Sequence, residues 1–397
     1  MFEFITKFFK RIEPQDIKDM SREDYIDDQD RPARQPIRKI GEGSYGCVYR
    51  PQVQCDDGRP TRPSTISKLM SLRHAMAEFK STQLISRIDR DHIFHYPVVD
   101  SCHVAPQPDC PNKRVEYQLV YEDGGNPLTR HITKSVSTHR PDQFLCGLWR
   151  LFIGLYALHN NDTYHLDIKP DNIVVKRDRE YIIKYLDFGM SKTSTELYFE
   201  GEMWPGYPWH PVETLFLSRG VLKTAMDVLS QRGSLVDFLA VLGPQVLYDR
   251  VELRVRATGE ARAAVETEMR QNLNIILTMY ARLYLSNPAT ADAKLWRFIY
   301  TRIDVYSLGV TLLQTSGLVP AIRNIAARMA SINIKTRSGP CRALNEYLTL
   351  CQHHIDKGQT LQIGNQMIPQ ERRQRIEECL VDQVVIDRLH GDLSDNM

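Results

Sequence analysis

Apolar residues recur along this chain in two rhythms, one helical and one strand-like. At the start, Ile5, Phe8, Phe9 and Ile12 fall at i, i+3, i+4 and i+7, a single helical stripe with Lys7, Lys10 and Arg11 interspersed. The spacing predicts a helix docked on the folded body, with a membrane-surface helix over residues 1–14 as the alternative. Asp16 to Asp30 is acidic and poor in apolar side chains, the pattern of a linker. Strand-like residues then stand on both sides of a glycine cluster, Ile40 before it and Val48 and Tyr49 after it. Leu72, Ala75, Met76 and Phe79 return to helical spacing, and Tyr117 to Tyr121 reads as strand. Ile173, Val174 and Val175 form a short buried strand, and Ile182, Ile183, Tyr185 and Leu186 a second apolar run. Further on, Val221, Leu222, Ala225, Met226 and Leu229, then Ile275, Ile276, Met279, Tyr280 and Leu283, predict helices. The closing residues HGDLSDNM are polar and expected to fray.

Composition narrows the picture. The 397 residues are 42% hydrophobic and 25% charged, enough for one large domain or two lobes with real cores. Lys plus Arg is 51 against 49 for Asp plus Glu, and a net charge of +2 gives no support to nucleic acid as the primary partner. The apolar runs are too short for a membrane helix. Eight cysteines with no CxxC pair exclude a zinc ribbon or a thioredoxin-like motif, and predict free thiols in a reducing, cytoplasmic compartment. Cys102 and Cys110 flank Pro106 and Pro108; with only His103 beside them they read as a plain loop and not a metal site.

Three short motifs carry chemistry. Gly41, Gly43 and Gly46 form GxGxxG within IRKIGEGSYGCVYR, and such glycines let backbone N–H groups approach phosphate oxygens. The strand-like flanks and Pro51 oppose a helix after the glycines, so a dinucleotide-binding fingerprint does not fit. In YHLDIKPDNIVV, Pro170 keeps Asp167, Lys169 and Asn172 on a loop. A carboxylate beside an ammonium and an amide suits phosphoryl transfer to a hydroxyl: one group accepts the proton, one neutralises phosphate charge, one holds a metal ion. Asp187-Phe188-Gly189 closes the apolar run IIKYL, and an Asp at a strand end can reach Mg²⁺ on nucleotide phosphates.

In this order, the motifs resemble those of eukaryotic-type serine/threonine protein kinases, over roughly residues 37–390. The resemblance implies an α+β, bilobal fold: a small β-rich N-lobe over 37–123 and a large helical C-lobe over 124–390, with 1–36 and 391–397 outside them. It implies ATP and Mg²⁺ as cofactors and a protein substrate. Asp167 would be the base and Lys169 the γ-phosphate contact, with Asn172 and Asp187 on the metal. Gly41, Glu42, Gly43, Ser44, Tyr45, Gly46 and Val48 would line the nucleotide, as would the hinge residues Glu122 and Asp123, the back pocket being guarded by Val120 or Tyr121. Lys68, in Ile66-Ser67-Lys68-Leu69, would hold the α- and β-phosphates. Its partner would be Glu78, only ten residues on; a trimmed loop explains that gap, or else Asp89 or no residue takes the role. DxKPxN is the serine/threonine form of the loop, and Pro211-Val212-Glu213 stands where the family has APE.

Two departures from the family carry information. Leu166 stands where the family has an Arg that often pairs with a phosphorylated activation-loop residue. Activity independent of such phosphorylation is therefore expected, although Ser191, Thr193, Ser194, Thr195 and Tyr198 are available. The second departure is the 91 residues from Glu213 to Asp304, which begins DVYSLG where the family has DxWxxG. The stretch 218–300 is expected to be a helical insertion, either extra packing on the large lobe or a docking module for a protein partner. Together with the glycine loop and PWHPVE it gives the chain a weaker likeness to kinases of large DNA viruses, which implies host cytoplasm or virion. The alternatives are a pseudokinase scaffold, opposed by the presence of Lys68, Asp167, Asn172 and Asp187, and a small-molecule kinase, opposed by the glycine loop together with PVE.

Overall fold

The computed structural model describes residues 36–43, 45–62, 64–111, 115–133, 141–177, 180–194, 196, 207–230, 238–239, 245–315 and 319–356. The stripe at residues 5–12, the acidic linker and the polar tail lie outside these residues. The chain divides into two compact units after Gly124.

Among its described residues, the first unit is a five-stranded antiparallel sheet with one helix. Its strands are β1 (Arg38–Gly43), β2 (Gly46–Arg50), β3 (Thr65–Met70), β4 (Asp100–His103) and β5 (Tyr117–Glu122), in the order β1-β2-β3-β5-β4. The expected strand-turn-strand around the glycines is the β1–β2 hairpin, in which Gly43 pairs with Gly46. Gly46 must be glycine, because a Cβ there would collide with the Leu69 carbonyl on β3. Helix α1 (Leu72–Ile88) starts as soon as β3 ends. A single residue, Ser71, separates them and caps the helix, its side chain accepting the His74 N–H at 3.4 Å. Asp89 ends the helix by a different use of a carboxylate. It accepts from the N–H groups of Ile93 at 2.8 Å, Phe94 at 2.8 Å and His95 at 3.1 Å, so it is engaged in turning the chain.

The free-thiol expectation fails here. Cys47 is bonded to Cys110 and Cys55 to Cys102, and Cys341 is also disulfide-bonded. The loop around Pro106 and Pro108 is therefore not plain. It is stapled to the strand that follows the glycines, and the four cysteines share a buried cluster with Tyr49, Val53, Leu69, Val104 and Val115. Tyr49 reinforces the staple by donating its hydroxyl to Asp109 Oδ1 at 2.6 Å. Among the described residues, Cys146 and Cys351 stand outside the disulfides.

The second unit is mostly helical. Two small sheets, β6-β8-β9 and β7-β10, carry its loops; they comprise β6 (Asn126–Pro127), β7 (Thr163–Tyr164), β8 (Ile173–Arg177), β9 (Tyr181–Tyr185) and β10 (Lys192–Thr193). Around them lie α2 (Leu128–Thr133), α3 (Pro141–Gly147), α4 (Trp149–Asn160), α5 (Arg219–Ser230), α6 (Gln245–Thr258), α7 (Arg262–Ser286), α8 (Pro288–Thr315), α9 (Arg323–Met329) and α10 (Pro340–Asp356). Gly309 on α8 allows the chain at Met329 and Ala330 to pack directly on the helix, where a Cβ would meet the Ala330 nitrogen at 2.5 Å.

The stretch expected as an insertion folds into α5, α6, α7 and the first half of α8. Helix α8 runs unbroken through residue 300 and Asp304. The apolar faces of the stretch are part of the main core of this unit. Val251, Val265, Met269, Leu273, Ile276 and Trp296 are buried in one cluster with Tyr164, Leu166, Val212, Leu215 and Phe216. These helices thus contribute buried packing to this unit. Burying side chains of this size stabilises by roughly 1.5–3 kcal/mol each, enough to make the stretch integral to the fold.

Candidate active site

In the first unit the glycine hairpin presents open backbone. A Cβ on Gly43 would meet nothing within 4 Å, and one on Gly41 would touch only Val48 at 3.7 Å or beyond. That leaves room for a phosphate to reach the main chain. Glu42 is drawn aside by Lys39 at 3.0 Å, and the exposed Tyr45 rests its ring 4.8 Å from His74. Ser44 lies outside the described residues. Val48, Lys68 and Leu119 sit side by side across β2, β3 and β5.

Lys68 Nζ donates to Glu78 Oε2 at 2.6 Å, and the Tyr121 hydroxyl donates to Glu78 Oε1 at 2.8 Å. The short spacing between Lys68 and Glu78 is thus met by trimming the strand–helix link to Ser71. Asp89 is committed elsewhere. Val120 is fully buried, and Tyr121 is the neighbour that reaches the Lys68–Glu78 pair. At the end of β5, Glu122 is exposed, while Asp123 is held by Arg50 Nη2 at 2.6 Å and donates its N–H to Ser64 at 2.8 Å.

In the second unit, the loop between β7 and β8 gathers Asp167, Lys169 and Asn172. Pro170 opens a 3₁₀ turn over Pro170–Asn172 that swings Asn172 back onto Asp167. Lys169 Nζ donates to both carboxylate oxygens at 3.0 Å. The Asn172 amide N–H₂ donates to Asp167 Oδ2 at 2.6 Å and to its carbonyl at 2.9 Å, which turns the amide oxygen outward. The Leu186 N–H bonds the Asn172 carbonyl at 2.8 Å, so Asp187 is tied close to Asn172. An amide oxygen and a carboxylate are hard donors of the kind Mg²⁺ takes. Among the described residues no three His, Cys, Asp or Glu side chains gather as a metal cage. A cation held here would complete its shell with phosphate oxygens and water.

Two backbone positions in this loop system are left-handed without being glycine: Leu166 at φ 63° and Asp187 at φ 57°. Asp304, buried on α8, holds the first. It accepts from the His165 N–H at 2.7 Å and the Leu166 N–H at 2.8 Å, with His159 Nε2 3.2 Å away. Burial acts to raise the Asp304 carboxyl, but the His159 hydrogen bond, the nearby imidazoles and the Leu166 N–H outweigh it and leave it below the ordinary range. From the other side, His210 Nε2 donates to the Leu166 carbonyl at 2.8 Å. Burial pushes His210 down to about 4, so it is a neutral imidazole at pH 7. The Leu166 side chain, which replaces a cation, points into the core.

Residues 34–230 match the protein kinase domain family. Over those residues the chain is similar to protein kinase domains of the eukaryotic serine/threonine type. It is 25% identical over 200 residues to Mitogen-activated protein kinase 13 of Arabidopsis thaliana, covering 49% of this chain and 51% of the relative. It is 30% identical over 176 residues to Cyclin-dependent kinase E-1 of the same plant, covering 39% and 33%. Cyclin-dependent kinase 4 of Xenopus laevis is 25% identical over 170 residues, covering 40% and 48%. The chain thus spans about half or less of the length of these relatives. The matched kinase domain ends within α5, so α6, α7 and Asp304 lie beyond it.

Several residues of the kinase domain's surroundings were not singled out by motif. Tyr207 donates its hydroxyl to Asp167 Oδ1. Arg250, on α6, donates to the His210 carbonyl at 3.0 Å and to Thr214 Oγ1 at 3.3 Å. Asn272, on α7, donates to Glu213 Oε2 at 2.9 Å, and Arg337 pairs with Glu213 Oε1, both partners fully buried. Arg250, Asn272 and Arg337 come from stretches where no motif stands, and they act through long-range contacts that spacing along the chain does not reveal. His210 and Tyr207 had a weak signal, since both fall in the GYPWHPVE string beside the expected substrate segment.

Proposed function

We propose that this protein transfers the γ-phosphate of ATP to a serine or threonine hydroxyl of a protein, with Asp167 as the base. What supports the reading most is the convergence of Lys169 and Asn172 on the Asp167 carboxylate, from one loop and within 3.0 Å. Asp167 accepts the acceptor's proton as the oxygen attacks. Lys169 would neutralise charge on the transferring group. Asn172 fixes the carboxylate's plane through its N–H₂ and offers its amide oxygen to Mg²⁺ together with Asp187. Mg²⁺, when bound, draws negative charge off the phosphates. Glu78 and Tyr121 restrain Lys68, which would contact the α- and β-phosphates, and the glycine hairpin offers N–H groups to the nucleotide.

The test is ³²P transfer from labelled ATP with Mg²⁺ to casein and histone, comparing wild type with Asp167→Asn. The Asn side chain keeps the shape and removes the base, so transfer should fall at least ~10²-fold. Phospho-amino-acid analysis should return phosphoserine and phosphothreonine. A mutant within threefold of wild type would remove Asp167 from the mechanism. Phosphotyrosine alone would overturn the substrate class.

A further inference from the structure

Asp167 has no vacancy for a substrate. An ionised carboxylate offers about four acceptor positions, two on each oxygen. Lys169 donates to both oxygens, Asn172 adds a second bond to Oδ2, and the Tyr207 hydroxyl adds a second bond to Oδ1. An acceptor hydroxyl must donate to this same carboxylate to lose its proton, so one of the four bonds has to open first. Lys169 and Asn172 belong to the loop of Asp167 itself. Tyr207 arrives from forty residues further on, in the stretch that precedes Pro211-Val212-Glu213.

Tyr207 also has the form of an acceptor. Its hydroxyl is the donor and Asp167 the receiver, the relation a substrate alcohol takes up before transfer. The phenol stays protonated, because burial and the Asp167 charge both push its pKa far up. The ring is anchored independently of the hydroxyl. Lys169 Nζ sits 5.5 Å from its centroid, and the His210 ring packs edge-on at 4.6 Å. Those contacts would remain if the oxygen were removed.

Resting on the assignment of Asp167 as base, we propose that Tyr207 is an internal stand-in for the acceptor: its hydroxyl plugs the base and must leave before a protein hydroxyl, or water, can be activated. The plug makes the resting protein slow towards any acceptor. It favours acceptors whose flanking residues displace Tyr207, and it suppresses idle hydrolysis of ATP.

Tyr207→Phe removes the plug and keeps the ring. Two rates are read with Mg²⁺-ATP at sub-saturating acceptor: phosphate release to water, and transfer to casein. Both should rise about tenfold, the scale of losing one hydrogen bond to a charged group. Adding Asp167→Asn should abolish the gain, since the effect runs through the base. A residue that merely supports the loop would give no such rise. Rates for Tyr207→Phe equal to or below wild type, at an unchanged melting temperature, overturn the plug while leaving the kinase assignment intact. Phosphate found on Tyr207 by mass spectrometry after incubation with ATP overturns it too, because the residue would then be an acceptor. A silent wild type with an active Tyr207→Phe supports it. Silence of both proteins removes the plug and the kinase assignment together.

Discussion

His210 shows how much one side chain in this molecule can carry. It is buried and neutral, and its Nε2–H holds the carbonyl of Leu166, the residue whose left-handed backbone shapes the loop before Asp167. A left-handed L-residue costs about 1–2 kcal/mol, and here Asp304 and His210 grip both its N–H and its carbonyl to offset that. The imidazole's folded pKa of about 4 lies below the unfolded value of 6.5. Between those values the unfolded chain binds a proton that the folded one refuses, so stability is complete above pH 6.5 and declines as pH falls towards 4. The difference amounts to about 3 kcal/mol at the acid end. Urea unfolding at pH 7 and pH 5 should show wild type losing stability at the lower pH. His210→Gln, which can still donate to Leu166, should lose about 1–2 kcal/mol less over the same range. Equal losses in the two proteins would place the pH sensitivity elsewhere.

Among the elements, the glycine hairpin and the loop stapled to it depend on cross-links that the pattern of the chain did not announce. The hairpin itself was readable, since glycines between strand-like residues leave few other options. So was the loop of Asp167, because Pro170 and the apolar strand after Asn172 fix its form locally. The disulfides were not readable. Four cysteines can pair in three ways, and their sparseness in a long chain argued for free thiols. What brings them together is long-range: β4 lies beyond β3 and β5 from β2, and the loop after it returns to β2, where Cys110 meets Cys47. The Lys68–Glu78 spacing was ambiguous for the same kind of reason: only the structure reveals that Ser71 alone links the strand to the helix. The bonds close loops of 63 and 47 residues, each worth about 4 kcal/mol in the chain-entropy account, and less together because the loops are nested. A thermal melt with and without dithiothreitol should therefore show a lower transition in the reduced protein, and Cys47→Ser/Cys110→Ser should reproduce part of the fall under oxidising conditions. An unchanged melt after thiol counting confirms reduction would mean that the sheet is self-sufficient.

Across the second unit as a whole, side chains from the long stretch after Glu213 hold the end of the segment that contains His210 and Thr214. Leu166 is buried in the core and cannot pair with a phosphorylated residue. The end of the segment is held instead by groups from the extra helices. Arg250 binds the His210 carbonyl and Thr214, and Asn272 bridges Glu213 to the Ile334 N–H at 2.9 Å. Burial lowers the Arg250 guanidinium to about 10, which still leaves it charged at neutral pH, so its bonds are charge-assisted. A brace built from buried side chains is permanent, whereas one built from a phosphate is conditional. Two outcomes follow for the same transfer assay. Phosphatase-treated wild type should retain its rate, because the brace requires no phosphate. Arg250→Ala should lose at least ~10-fold, since the His210 and Thr214 contacts loosen together, and Arg250→Lys should recover part of the loss by restoring one of them. Circular dichroism and melting would separate this loosening from global unfolding, to which removal of a buried cation contributes about 3 kcal/mol. A folded Arg250→Ala as fast as wild type would detach the helices from control of the site. A phosphatase-treated protein that fell silent and revived on phosphorylation would return that control to the segment itself.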